Sequence, residues 1–125
     1  MPIILIFFIN FELLAKSEFP SVFIKSCYDG DTCTAIDGEK IRLACIDTPE
    51  LKGDNSDPVK AIKSRDFLNR LVAQRKISIR RIAKDRYGRT VAELYKGRIN
   101  IQELIVKKGF GKIYKKYAFQ CDWTN

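Results

Sequence analysis

Three short β-prone runs separated by Asp-Gly turns, a helical stripe opened by Asp57-Pro58, two further strand-like runs and a helix opened by Asn100 predict an α+β chain. In that order they fit a small five-stranded OB-like β-barrel carrying two helices. Length agrees with a single domain: 125 residues suffice for one core, and a second domain of ordinary size would leave neither adequately buried. A composition of 46% hydrophobic and 30% charged residues is that of a globular protein, because enough apolar surface is available to offset conformational entropy.

Val22 to Tyr28 reads as the first strand, Thr32 to Ile36 as the second and Lys40 to Ile46 as the third. Asp29-Gly30 and Asp37-Gly38 punctuate them, and Asp-Gly between β-prone runs is a strong hairpin signal. In such a meander the start of the second strand lies beside the end of the third, so Asp31 is expected near Asp47. Leu51 to Asp57 is a polar loop, after which Asp57 as N-cap and Pro58 at the first helical position start a helix. Val59, Ile62, Leu68, Leu71 and Val72 recur near a helical period and are expected to face the core, with Lys60, Lys63 and Arg70 on the wet face. Ile77 and Ile79 alternate with polar neighbours in a fourth strand, and Thr90 to Tyr95 supplies the fifth after the Tyr87-Gly88 turn. Asn100 caps a short helix that Gly109 ends. The sequence contains no internal repeat or low-complexity tract.

At the amino terminus the apolar run Ile3 to Ile9 and the small residues of Ala15-Lys16-Ser17 favour an export leader over residues 1–17, with a secreted or periplasmic location. The run is too short to anchor stably in a bilayer. No Lys or Arg precedes it, which leaves an N-terminal strand or an uncleaved anchor as alternatives. Four cysteines in an exported chain permit two disulfides in three possible pairings, and none has zinc-site spacing. Cys27 and Cys33 sit opposite one another if Asp29, Gly30 and Asp31 form a three-residue loop. A two-residue Asp-Gly loop shifts the register and points them to opposite faces. A Cys45–Cys121 pair is compatible with the count, but spacing gives no geometric argument for it.

A formal charge of +8 and a pI near 9.4 suit a polyanion partner, with basic residues dense from Arg65 to Lys116 and acids concentrated from Asp29 to Asp57. The absence of histidine excludes imidazole acid–base catalysis, serine–histidine nucleophiles and histidine metal clusters. Hydrolytic chemistry would have to use carboxylates, arginines or a metal. Asp31, Asp47 and Glu50 are candidates, because hairpin geometry gathers both acidic corners at one end of the sheet, where hard oxygen ligands suit Ca²⁺. Taken singly each of these runs is also an ordinary turn. Arg42, flanked by Ile41 and Leu43 in a short strand, needs solvent or a paired anion, and a guanidinium matches a phosphate in two parallel hydrogen bonds. Arg89 closes the run Asp85-Arg86-Tyr87-Gly88-Arg89.

The runs Asp29-Gly30-Asp31-Thr32, Ile41-Arg42-Leu43, Ile46-Asp47-Thr48-Pro49-Glu50 and Asp85-Arg86-Tyr87-Gly88-Arg89 resemble, in order, the signature of the staphylococcal nuclease (thermonuclease) family. The resemblance extends through Gly109 and Ile113-Tyr114-Lys115-Lys116-Tyr117, covering roughly residues 22–117. It implies a Ca²⁺-dependent endonuclease that hydrolyses single-stranded DNA and RNA to 3′-phosphorylated products with little sequence preference. Asp31 and Asp47 would ligate the metal by side chain and Thr48 by its carbonyl. Glu50 would orient or deprotonate the attacking water, while Arg42 and Arg89 would grip the scissile phosphate and stabilise its transition-state charge. Arg89 and a metal-bound water are the two candidates for protonating the leaving 5′ oxygen. Arg86, Tyr87, Lys115 and Tyr117 correspond to the family's nucleotide pocket, with Lys115 standing where the best-known member has a tyrosine. Tyr114 is equally suited to core packing. Family members usually add a third, C-terminal helix, which the short stretch after Tyr117 predicts to be absent or vestigial. A monomer is expected. The rival readings are an inactive OB module that only binds nucleic acid, and a secreted disulfide-stabilised interaction domain.

Overall fold

In the computed structural model, residues 19–125 are described, and the expected leader over residues 1–17 lies outside them. The described chain runs β1 (Ser21–Asp29), β2 (Thr32–Ala35), β3 (Lys40–Leu43), β4 (Ile46–Asp47), α1 (Pro58–Val72), β5 (Arg75–Lys84), β6 (Thr90–Lys96), β7 (Ile99–Asn100), α2 (Ile101–Lys107) and β8 (Lys112–Ile113). The meander β1-β2-β3 forms as the Asp-Gly turns predict. β5 returns antiparallel to β1 and carries β6 on its other edge, and a parallel pairing of β3 with β6 closes the ring. These five strands therefore make a barrel whose edges are all paired, the expected OB-like α+β architecture.

Alternation along the strands explains the core. Val22 and Ile24, Cys33 and Ala35, Ile41 and Leu43, Ile77 and Ile79, and Ala92 and Leu94 all point inward and are buried. Fully burying one such Ile or Leu side chain contributes ~1.5–3 kcal/mol. Ile36, read as the end of the second strand, is exposed just past β2. Two short pairs were not legible beforehand: β7 extends β6, and β8 pairs with β4 as a separate two-stranded sheet.

α1 begins at the predicted cap, where the Asp57 carboxylate accepts the Lys60 N–H at 3.3 Å and Pro58 follows. Its buried face is rotated from the expected one. Val59 and Ile62 are 66% and 41% exposed, whereas Ala61, Ser64, Leu68 and Val72 are buried and Leu71 is half-buried. The reason is close approach: Ser64 Oγ donates to Phe110 O at 2.8 Å, and a Cβ on Gly30 would collide with Ser64. Only small side chains fit that seam, so hydrophobicity alone misplaces it. α2 starts at Asn100, whose side-chain oxygen accepts the Glu103 N–H, and is followed by Gly109 at φ 81°.

The third predicted strand, Lys40 to Ile46, is broken. Cys45 takes a left-handed φ of 69°, so β3 stops at Leu43 and β4 leaves the barrel ring toward β8. After β8 the described chain holds two short 3-10 helices, Lys115–Gln120 and Asp122–Thr124, in place of a third α-helix. Cys45 forms a disulfide with Cys121, and the two pack with Ala44 against Ile82, Val91 and Trp123. Cys27 and Cys33 form the other disulfide. The loop between β1 and β2 is the two-residue Gly30-Asp31, which by itself would separate these cysteines. A bulge between Cys27 and Asp29 restores the register and brings Cys27 opposite Cys33. Among the described residues, no helix is long and apolar enough to cross a membrane.

Candidate active site

Asp31 occupies the turn out of β1 and is buried, at 7% exposure. Register explains its neighbours. Leu43 N–H donates to Asp31 O at 2.8 Å, and Arg42 lies across from Thr32, so the end of β3 runs beside the start of β2. The Asp31 carboxylate accepts the Thr48 N–H at 3.1 Å and the Thr32 hydroxyl at 3.2 Å. Arg42 Nη2 stands 3.4 Å from Asp31 Oδ2 and 4.0 Å from Asp47 Oδ1, so one guanidinium joins the two acidic corners. Burial pushes the Asp31 carboxyl up to about 6 against the opposing pull of Arg42, and the neighbouring Asp29 adds to the rise. A carboxylate so placed favours additional positive charge.

A cleft of about 530 Å³ opens over these groups and is lined by Asp31, Arg42, Asp47, Thr48, Glu50 and Arg89, among others. Glu50 is exposed on its rim, in the turn where Asp57 N–H donates to the Glu50 carbonyl. Thr48 Oγ1 is buried without a hydrogen-bond partner, which is costly for a hydroxyl and unusual in a native interior. Arg89 is oriented by Asp85: Arg89 Nε donates to Asp85 Oδ2 at 2.7 Å, and Asp85 Oδ1 accepts the Arg89 and Tyr87 N–H groups at 2.9 Å each. Burial acts to raise the Asp85 carboxyl, yet the Arg89 and Tyr87 hydrogen bonds outweigh it and hold the carboxyl below its usual range. In the sequence Asp85 is marked only by its place four residues before Arg89, opening the turn.

A second cleft of about 520 Å³ adjoins the first and shares Arg42, Tyr87, Arg89 and Tyr114 with it. Arg86 and Tyr117 line only this second one. Tyr87 is exposed between two cations, with Arg86 Cζ at 4.9 Å and Arg89 Cζ at 5.5 Å from its ring centroid. Tyr114 packs edge-on against Tyr117 at 5.3 Å. Lys115 lines neither cleft; its neighbour Lys116 does, with its Nζ 5.5 Å from the Tyr117 ring. A 3-10 turn rather than a strand carries this segment, so the alternation of side chains differs from that of an extended run. Lys52 lines the first cleft and Gln120 the second, and neither carries a sequence signal.

Fold and clefts together define a small α+β barrel protein of OB type with acids and guanidiniums facing one opening. The chain belongs to the staphylococcal nuclease family: the family described as staphylococcal nuclease homologue matches residues 40–123. It is 38% identical over 94 residues to an uncharacterized endonuclease of Haemophilus influenzae, covering 72% of this chain and 50% of that protein. It is 33% identical over 93 residues to an uncharacterized endonuclease of Escherichia coli O157:H7, covering 71% and 58%. Similarity to a thermonuclease of Staphylococcus hyicus is 33% over 102 residues, covering 74% and 60%. The chain thus spans only about half to three fifths of the length of these relatives.

Proposed function

We propose that the protein is a Ca²⁺-dependent endonuclease, a hydrolase that cuts single-stranded DNA and RNA to 3′-phosphorylated ends with little sequence preference. The observation that carries this reading is the single cleft onto which Asp31, Arg42, Asp47, Thr48, Glu50 and Arg89 all open. A module that only bound nucleic acid would gain from the arginines and tyrosines but lose from three acids that repel phosphate.

The surroundings fit a hard divalent cation: two carboxylates sharing one loosely paired guanidinium, a buried hydroxyl without a partner beside them, and a raised carboxyl that welcomes charge. Among the described residues, no group of three or more His, Cys, Asp or Glu is arranged to hold an ion alone. Backbone carbonyl and water ligands would complete the shell, which is ordinary for Ca²⁺. Asp31 and Asp47 would hold it by side chain and Thr48 by its carbonyl. When bound, the ion supplies Lewis-acid polarisation of the phosphoryl oxygen.

The remaining chemistry belongs to the chain. Glu50, at the wet rim, takes a proton from the attacking water as its oxygen bonds to phosphorus and the P–O5′ bond breaks. The leaving 5′ oxygen takes a proton from Arg89 or from a water of the ion's shell, the two candidate donors. Arg42 Nη2 makes no tight hydrogen bond at 3.4 and 4.0 Å, so it keeps a donor for a phosphate oxygen. Arg89 is fixed through Nε by Asp85, and its terminal nitrogens would donate to the charge that grows on the scissile phosphate. Tyr87, Arg86 and Tyr117 in the adjoining cleft would receive the flanking nucleotide, the ring faces meeting base or sugar. The two disulfides support an exported enzyme, secreted or periplasmic. The form proposed to act is a monomer.

Digestion of single-stranded DNA with Ca²⁺ and with excess chelator tests this reading. Cutting only with Ca²⁺ and 3′-phosphate termini are expected; undiminished cutting in chelator rejects the metal, and binding without cutting leaves the inactive module.

A further inference from the structure

The second cleft has a wall with weak anchorage of its own. The 3-10 helix Lys115–Gln120 contributes Lys116, Tyr117 and Gln120 to that cleft, yet none of its side chains is buried and no side chain caps its start. A segment with nothing buried gains little from the hydrophobic effect and detaches at small cost in free energy. Between its ends it accepts one side-chain hydrogen bond, from the Thr124 hydroxyl to Ala118 O at 2.7 Å, and the other ties are at its ends. Before it, Tyr114 N–H donates to Cys45 O at 2.8 Å. After it, Cys121 is 1% exposed and disulfide-bonded to the same Cys45, while Arg80 Nη2 donates to Gln120 O at 3.0 Å. Cys45 Sγ also lies 3.4 Å from the Tyr117 carbonyl oxygen, a contact and not a hydrogen bond, because a disulfide sulfur carries no proton. One residue thus grips both ends of the strap, by its carbonyl at the start and by its sulfur at the end.

We propose that the Cys45–Cys121 disulfide is a positioning element for nucleotide binding: it hangs the Tyr114–Gln120 strap along the second cleft, while Asp31 and Arg42 are held by the barrel without it. This inference rests on the nuclease reading and deepens it. Asp31 and Arg42 are held by β2–β3 pairing and by Thr48, none of which involves the strap. Losing the disulfide should therefore separate ground-state nucleotide binding from turnover.

The test compares the wild-type protein with Cys121→Ser and with Cys45→Ser/Cys121→Ser. A 5′-mononucleotide, which has no internucleotide bond to cut, serves as the binding probe, and steady-state kinetics on single-stranded DNA and calorimetric Ca²⁺ binding accompany it. Mononucleotide affinity is expected to fall by about tenfold and KM to rise in parallel, with kcat within about threefold and Ca²⁺ affinity within about twofold of wild type. Unchanged mononucleotide affinity in a folded Cys121→Ser protein overturns the inference. Should the variants not fold, the wild-type protein gives the answer through linkage. A dithiol reductant delivers two electrons and two protons to the Cys45–Cys121 bond, leaving two thiols and closing its own disulfide. Trp123, the chain's only tryptophan, packs on that bond and reports its opening by a rise in emission. At equilibrium with a dithiol redox buffer, saturating mononucleotide should shift the Cys45–Cys121 equilibrium about tenfold toward the disulfide and leave that of Cys27–Cys33 unaffected; an equilibrium that mononucleotide does not move overturns the inference. Wild-type protein that neither binds nor cuts nucleic acid overturns the nuclease reading itself, and this inference with it.

Discussion

Thr48 lies between two glycines. A Cβ on Gly30 would meet Thr48 Oγ1 at 2.9 Å and collide with Ser64 Oγ, and a Cβ on Gly111 would meet Thr48 Cγ2 at 2.9 Å and Asp47 O at 3.1 Å. The seam therefore sets the backbone that presents Asp31, Asp47 and Thr48. Gly30→Ala should cost ~1–3 kcal/mol in denaturant unfolding, as overpacking does, and, on the proposed metal role, should weaken Ca²⁺ binding measured by calorimetry. At the reactive groups the expectation differs in kind. On the proposed mechanism, Glu50→Gln and Arg42→Ala should each lower kcat about a hundredfold or more while circular dichroism stays native, because each would remove a contact that strengthens in the transition state. Wild-type turnover in either variant removes that residue from the mechanism.

Between elements, Glu39 ties the β2–β3 turn to the neighbouring strands β5 and β6. Its carboxylate accepts two hydrogen bonds from Arg81 of β5, at 2.9 and 2.7 Å, and one from the Thr90 hydroxyl of β6 at 2.8 Å. The Arg81 hydrogen bonds, against an opposing effect of burial, lower the Glu39 carboxyl from 4.5 to about 2. A carboxyl lowered by folding stabilises the native state above its unfolded value, and that contribution is lost as pH falls from about 4.5 toward 2. Melting temperatures of wild type and Glu39→Gln should thus differ near neutral pH and converge through that window; a gap independent of pH would show that the charge is not responsible. Arg81 is 43% exposed, so screening by salt should narrow the gap as well. The neighbouring Arg80–Glu93 pair is drier, with Glu93 also accepting from Tyr95 and Asn100, and it carries the β5–β6 pairing toward the C-terminal segment through Gln120.

Over the whole molecule, two properties outweigh any single contact. The Cys45–Cys121 bond closes a loop with a sequence separation of 76 residues, and chain entropy alone assigns such a crosslink ~4 kcal/mol. That is a large share of the roughly 5–15 kcal/mol margin of a small domain, and it bears on the segment where the two 3-10 helices stand in place of a third α-helix. Net charge of +8 is the other. Binding of single-stranded DNA should weaken linearly in log affinity against log salt, with a slope near −0.7 for each phosphate neutralised, measurable by fluorescence anisotropy. A flat salt response would exclude phosphate contacts as the main source of affinity.

What the sequence determined by itself was local. Asp-Gly pairs dictate hairpins, Asp57-Pro58 and Asn100 dictate helix starts, and strand alternation dictates the inward faces, because each follows from preferences of adjacent residues. Asp31 and Asp47 were legible as neighbours because a meander allows few registers, and Arg42 stood out as a charge between two buried residues. Tertiary structure alone decided the rest. The bulge before Asp29 aligned Cys27 with Cys33, the left-handed Cys45 released β4 from the ring, and close packing at Gly30 turned α1 onto Ala61 and Ser64. It also placed Lys116 rather than Lys115 on the cleft and bound Cys121 to Cys45. These depend on how distant segments close upon one another, and contact distance and steric fit between remote parts of the chain leave no periodic trace along it.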